Sequence, residues 1–158
     1  MKNPWLEFVT NLDDNNLVLK QDREIIEKFN NQTNETYKVH TDIMPAPFMG
    51  NVLESPIVLL TLNPGYDEKE DERNYYKDYK SYWINEIQHL HSVSELPLFC
   101  IDEKYIESSD YWLKKFMPLI SVTNKEKVAN NISIIQFFPY HPTLPHDCIV
   151  WQVQVNSN

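Results

Sequence analysis

The stretch Ile57-Val-Leu-Leu-Thr-Leu-Asn-Pro-Gly-Tyr66 decides how this chain can fold. Its first six residues are almost all leucine or β-branched; Pro56 precedes them and Asn-Pro-Gly follows them. A short, continuous apolar run between turn residues predicts a strand that is covered on both faces. Such a strand is typical of the centre of a parallel sheet in an α/β protein.

A second strand is predicted at 131–138, and Pro139-Tyr-His-Pro142 ends it. Two amphipathic helices are predicted between the strands, because large apolar residues recur there at steps of three and four. One contains Tyr76, Tyr79, Trp83, Ile87 and Leu90; the other spans 110–120, with Asp110 as N-cap, and buries Trp112, Phe116 and Leu119. The order strand, helices, strand favours a crossover and parallel pairing. We therefore expect an α/β fold, a central parallel sheet flanked by helices.

The segment before the first strand is polar, and the sequence predicts less regular secondary structure there than in the rest of the chain. Residues 21–29 carry Ile25, Ile26 and Phe29 at helical spacing, which predicts a helix that stops at Asn30-Asn31. Residues 31–42 are expected to be loop. Prolines at 45 and 47 predict that 44–51 is a fixed extended segment and not regular structure.

The chain has only two glycines, Gly50 and Gly65, where average usage of about 7% would give roughly eleven. Ordinary turns are made here with Asn, Asp and Pro, so each glycine is expected at a positive φ or a close backbone approach. The two glycines lie on either side of the first strand.

A length of 158 residues predicts one domain, and the chain changes character in a tail after Pro145. In the tail, 149–155 alternates apolar and polar residues, as a half-exposed strand does. Two central strands and one such edge make a thin α/β sheet, so we expect the fold to be incomplete and truncated at its C-terminus.

The formal charge of −9 argues against a nonspecific nucleic-acid binder, which neutralises phosphates with Lys and Arg. A local basic groove at 77–80 or 114–115 stays open, although these lysines are more typical of solvated helix faces. Two cysteines predict neither a disulfide framework nor a paired metal site. The first residues lack an apolar leader and no apolar run is long enough to span a membrane, so a cytoplasmic protein is expected.

Chemistry is expected at the loop after the first strand, since ligands of α/β sheets bind beyond the carboxyl ends of the strands. Pro64 and Gly65 would hold Asn63 rigidly, with a side-chain amide that both donates and accepts. The alternative is that Asn-Pro-Gly is simply a good turn.

The second strand should bring Gln136, Tyr140 and His141 to the same edge of the sheet, where aromatic rings could stack on a planar ligand. For Phe137 and Phe138 a place in the core is the favoured alternative. A metal site is not expected, because His89 and His91 would lie on different sides of a helix and His141 and His146 lack a third ligand. No cofactor is predicted.

Leu62-Asn-Pro-Gly65 after a strand resembles the first motif of the uracil-DNA glycosylase superfamily, nearest to its mismatch-specific and thymine branch. The strand at 131–138 is similar to the one that carries a base-recognition residue there, and the resemblance covers residues 44–143. It implies a family-like α/β core at 44–143, with a helical and loop N-terminal extension (1–43) and an atypical tail (144–158). It implies that Asn63 orients water at a sugar, that Tyr76 stacks on an extruded base and that Gln136 reads the base edge. The remaining predicted substrate-binding positions are Pro64, Gly65 and Tyr66 of the same loop, and Tyr140 and His141, which lie beside two prolines after the second strand.

The sequence departs from that family in its second catalytic motif, which there follows a later strand. His141-Pro142-Thr143 is similar to that motif's His-Pro-Ser, but it follows the wrong strand. Two functions are therefore expected: cleavage of an N-glycosidic bond in nucleic acid, or a non-catalytic module (or inactive truncated product) that binds a nucleotide or a partner. A nucleic acid or a base is the expected partner, no membrane is expected, and the oligomeric state is open.

Overall fold

The computed structural model of the chain describes residues 3–13, 16–66, 80–89, 96–103 and 111–143. Its helices are α1 (Pro4–Thr10), α2 (Arg23–Gln32), α3 (Lys80–Ile87), α4 (Tyr111–Val122) and α5 (Lys125–Asn131). Short 3₁₀ turns lie at Glu35–Tyr37 and Phe99–Ile101. Its strands are β1 (Val39–His40), β2 (Phe48–Met49), β3 (Ile57–Thr61), β4 (Ile132–Gln136) and β5 (His141–Pro142).

The strands form two small sheets, so the chain is a mixed α/β protein. One sheet has the order β2-β4-β3, with β3 parallel and β2 antiparallel to β4. The other pairs β1 with β5, antiparallel. The predicted parallel pairing is confirmed, with Ile57 opposite Ile132 and Thr61 opposite Gln136. The three-stranded sheet as a whole is mixed, because β2 runs against its neighbour.

Among the described strands, the most apolar one of the sequence lies at an edge of its sheet. The predicted strand at 57–62 is confirmed as β3, but its expected cover on both faces is wrong. Val58 is 48% exposed and Leu60 is 69% exposed, whereas Ile134 of β4 is fully buried. The central position therefore belongs to β4, because β2 and β3 flank it. Continuous apolar sequence does not distinguish a central strand from an exposed edge.

The predicted helix at 21–29 is confirmed as α2, but the predicted position of its C-terminal end is wrong. Helix α2 continues past Asn30-Asn31 to Gln32. The Asn30 side chain accepts from the Val39 amide and donates to the Val39 carbonyl, both at 2.9 Å, and so substitutes for a strand partner of β1. The expected loop at 31–42 contains the end of α2, a 3₁₀ turn and β1.

The proline-containing segment at 44–51 is largely buried, and it includes strand β2. The prediction that it holds no regular structure is therefore wrong at Phe48 and Met49. Its two prolines precede the strand, where no ladder donor is needed. Gly50 follows at φ +85°, and its amide donates to a carboxylate oxygen of Glu86 at 2.9 Å. This contact fixes the segment against α3.

The helices cover the sheet with an apolar core. Trp83 and Ile87 of α3 are buried, as predicted, and so is Phe116 of α4. Leu119 is 40% exposed, so its predicted burial is wrong. Helix α5 was not predicted; it begins at an Asn124 N-cap, whose side chain accepts from the Lys127 amide.

One cluster of buried side chains runs from Trp5 of α1 to Tyr140, and it includes residues of every described helix. The predicted strand at 149–155, the first part of the helix at 76–90 and Asp110 lie outside the described residues. Within the described ranges, no helix is both long and apolar enough to cross a membrane.

Candidate functional site

The loop after β3 begins two residues beyond the strand, because the backbone pairing with the second strand continues. The amide of Phe137 donates to the Thr61 carbonyl and that of Phe138 to the Leu62 carbonyl, each at 2.8 Å. Asn63 is thus the first residue free of the ladder. Gly65 has φ +76°, as predicted, so the turn requires a residue that tolerates the left-handed region.

Two histidines hold the far side of this loop. His141 is fully buried; its Nδ1 lies 2.8 Å from the Gly65 carbonyl oxygen and its Nε2 lies 3.0 Å from that of Met44. The ring of His40 packs on Tyr66 with centroids 4.0 Å apart. The loop is therefore fixed to both strands of the β1–β5 pair.

Asn63 is partly exposed, and its side chain makes no hydrogen bond among the described residues. An amide held at the end of a strand with its donor and acceptor unused can bind a ligand or orient a water molecule. Pro64, which precedes the glycine, restricts the backbone next to this side chain.

Gln136 lies at the end of β4, one strand away. It is 5% exposed, and its Oε1 accepts a hydrogen bond from the Thr61 hydroxyl. Its backbone amide donates to the Pro47 carbonyl at 2.9 Å. The two Nε2 hydrogens of Gln136 and the second lone pair of its Oε1 are the parts of the amide that can serve a ligand.

A cavity of about 300 Å³ opens beside Gln136, between α1, α2 and the segment that follows β4. Its walls are mostly apolar and aromatic: Trp5, Ile25, Ile26, Phe29, Phe48 and Phe138. Its polar residues are Gln21, Asp22, Gln136 and Tyr140. An apolar cavity with a few polar groups is the usual form of a small-molecule site.

Asp22 and Tyr140 form the polar edge of this cavity. The Tyr140 hydroxyl donates to the Asp22 carboxylate at 2.7 Å and accepts from the Leu19 amide at 3.2 Å. Burial raises the pKa of the Asp22 carboxyl, although the bond from Tyr140 opposes the change. Burial and the adjacent Asp22 charge also raise the pKa of the Tyr140 hydroxyl, so it stays protonated and donates.

The residues predicted for the site lie in two groups. One group is the loop Asn63, Pro64, Gly65 and Tyr66, together with His141, which contacts it. The other group is Gln136 and Tyr140, which border the cavity. The Thr61–Gln136 hydrogen bond links the groups, and no described residue from Asn63 to Tyr66 lines the cavity. Tyr76 lies outside the described residues.

Asp22 and the N-terminal wall of the cavity were not predicted from the sequence. The spacing of Ile25, Ile26 and Phe29 predicts an apolar face on α2, but it does not indicate which part of the chain that face packs against. Asp22 directly before a helix has the sequence signal of an N-cap; in the structure its carboxylate bonds to Tyr140 and makes no cap hydrogen bond. Phe138 is buried, as favoured, while Phe137 is 41% exposed.

In the part of the chain that the structure describes, no three metal-binding side chains lie close enough to hold an ion. Comparison with protein-family models, curated protein sequences and solved structures found no match to this chain.

Proposed function

We propose that this chain binds a nucleobase in the cavity beside Gln136 and, with a uracil-DNA glycosylase-like fold, hydrolyses the N-glycosidic bond of that base. The observation that carries the proposal is the in-register parallel pairing of β3 with β4. It brings Asn63 and Gln136, the two residues to which the resemblance gives roles, to the same end of adjacent strands. In this proposal the described sheet is part of a central sheet flanked by helices.

The cavity has the size and lining that a single base requires. Its volume of about 300 Å³ is at the small end of the range for ligand sites, which excludes larger ligands from full burial. Aromatic walls such as Trp5 and Phe138 suit a planar ring. The Nε2 hydrogens of Gln136 would donate to a carbonyl oxygen of the base, while the bond from Thr61 to Oε1 fixes the orientation of the amide.

Asn63 would orient the attacking water. Water oxygen bonds to the sugar C1′ while the bond from C1′ to the base nitrogen breaks, and the base leaves with the bonding electrons and takes up the proton that water releases. An amide is a poor general base, so the rate would come from positioning and from stabilisation of a cationic sugar. A base within nucleic acid would have to be extruded first.

A second candidate function is binding without catalysis, of a nucleotide or a partner. Two observations favour it: the loop of Asn63 lies outside the cavity lining, and the charge of −9 opposes close approach to a phosphate backbone. Both functions share base recognition at Gln136 and differ only in bond cleavage.

The two functions are separated by base release from oligonucleotides that contain uracil or mismatched bases, with the protein in excess. The hydrolase predicts free base in the supernatant, lost in Asn63→Ala and retained in Asn31→Ala, which changes an exposed asparagine of α2. No release from any substrate, by a folded protein that still binds free base, would establish the non-catalytic function. Release that is unchanged in Asn63→Ala would contradict the proposed role of this residue.

A further inference from the structure

The buried His141 ring faces two carbonyl groups, one at each nitrogen. Nδ1 is 2.8 Å from the Gly65 oxygen and Nε2 is 3.0 Å from the Met44 oxygen. Carbonyl oxygens only accept, so each contact is a hydrogen bond only where the ring nitrogen carries a proton. Both contacts together require the doubly protonated, charged ring.

At neutral pH the ring has one N–H for these two acceptors. Burial lowers the pKa of His141 to about 4; the two carbonyls act in the opposite direction, and the neighbouring imidazole of His40, opposite it on β1, lowers it further. A neutral imidazole donates from one nitrogen and presents a lone pair at the other.

We propose that His141 is a positioning residue whose single proton selects between the Gly65 and Met44 carbonyls, and thereby holds or releases the Asn63–Gly65 turn. With the proton on Nδ1, the turn is bonded to β5 through the shorter of the two contacts. With the proton on Nε2, the Gly65 oxygen faces a lone pair and the turn loses its bond. This inference goes beyond the proposed function, because the hydrogen bond exists whether or not a base is bound.

The position of Gly65 makes this bond important for the turn. A Cβ placed on Gly65 would meet no atom within 4 Å, so no packing on that side of the glycine restrains the turn, and its described restraints are the His141 contact and the packing of Tyr66 on His40. The bond from His141 acts at the residue that follows Pro64, two positions from Asn63. Its loss would move the Asn63 amide without altering the ladder, which ends with the Phe138 amide at Leu62.

The chain's composition allows a direct test, because glycine labelled with ¹³C at the carbonyl gives two signals, from Gly50 and Gly65. The Gly65 signal reports the bond from His141. Gly50 is the internal reference, since its carbonyl accepts from the Val52 amide at 2.9 Å and does not contact His141. No ligand is required, so failure of the proposed function would leave this measurement unaffected.

Two variants each keep one of the two contacts. The amide nitrogen of Asn occupies the place of Nδ1 and that of Gln the place of Nε2. We expect His141→Asn to keep the Gly65 signal near its wild-type position and His141→Gln to shift it, with Gly50 unchanged in both. Equal shifts in the two variants, or none in either, would overturn the proposal.

Since a variant at a buried site can fail to fold, the wild-type ring supplies a second measurement. Its ¹⁵N chemical shifts at neutral pH distinguish a protonated from an unprotonated nitrogen. The proposal requires Nδ1–H to be the major form; a ring protonated at Nε2 would contradict it.

Discussion

The Tyr140 hydroxyl donates a 2.7 Å hydrogen bond to the Asp22 carboxylate, joining two residues 118 positions apart in the sequence. The same oxygen accepts from the Leu19 amide at 3.2 Å. One hydroxyl therefore connects the segment before α2 to the segment after β4, and both segments border the cavity. This contact therefore joins two walls of the cavity.

Tyr140→Phe should destabilise the protein by about 1–3 kcal/mol, because the Asp22 carboxylate and the Leu19 amide both lose a buried partner. Urea unfolding measures the free energy. Tyr111→Phe is the matched control, since Tyr111 is 53% exposed and should lose little. Equal effects of the two substitutions would show that the Tyr140 hydroxyl contributes nothing.

Asp22→Asn should change how stability depends on pH. Burial raises the pKa of Asp22 in the folded state, so folding favours the protonated carboxyl. That contribution is complete below the ordinary carboxyl pKa and is lost as pH rises through the raised value. Unfolding free energies should therefore show the wild type gaining stability relative to Asp22→Asn as pH falls from 7 towards 4; a constant difference would contradict the raised pKa.

The two glycines should differ in their response to alanine. Both have positive φ, which costs an L-residue about 1–2 kcal/mol. At Gly50 the new Cβ would also lie 3.1 Å from the Ile132 carbonyl oxygen and 3.2 Å from a Leu98 methyl, whereas at Gly65 it meets nothing. We expect Gly50→Ala to be the more destabilising in urea unfolding. The reverse order would mean that Gly65 is the crowded position.

Leu60→Lys tests the edge position of β3. Leu60 is 69% exposed, so the change should alter stability by less than about 0.5 kcal/mol, and a charge on the edge strand of the described sheet should lower any tendency to associate. Leu59, its partly buried neighbour, supplies the contrast, because Leu59→Lys should be clearly destabilising. Unfolding curves and light scattering at several concentrations measure both effects. Strong destabilisation by Leu60→Lys would contradict this exposed position and support the sequence-based prediction that the strand is covered on both faces.

The fold was predictable where local pattern and chain order agree. The apolar runs at 57–62 and 131–138 predicted β3 and β4, and the helices between them predicted parallel pairing. The edge position of β3 was not predictable, since burial depends on what packs against a strand and not on the strand's own residues. The end of α2 also depends on contacts that are distant in sequence. The sequence predicts a stop at Asn30-Asn31, whereas the Asn30 side chain bonds to Val39 and the helix continues to Gln32.

For the candidate site, the sequence predicted the backbone of the loop and the strand ends, but not the residues that form the walls of the cavity. The positive φ of Gly65 follows from glycine's scarcity in this chain, and the shared edge of Gln136 and Asn63 follows from parallel strands. Asp22 and Trp5 reach the cavity through long-range packing, which no spacing in the sequence encodes. His141 stays a predicted substrate-binding residue; in the structure both of its nitrogens face backbone carbonyls, which no sequence pattern indicates.

Base recognition in the cavity is tested most directly by the methyl NMR signals of Ile25, Ile26 and Ile135, which line it, during titration with free uracil, thymine or guanine. Ile87, buried on α3 outside the cavity lining, is the reference. We predict saturable shifts confined to the cavity methyls for at least one base, weakened at least tenfold in Gln136→Leu. A folded protein whose cavity methyls do not shift with any base at millimolar concentration would contradict the proposal.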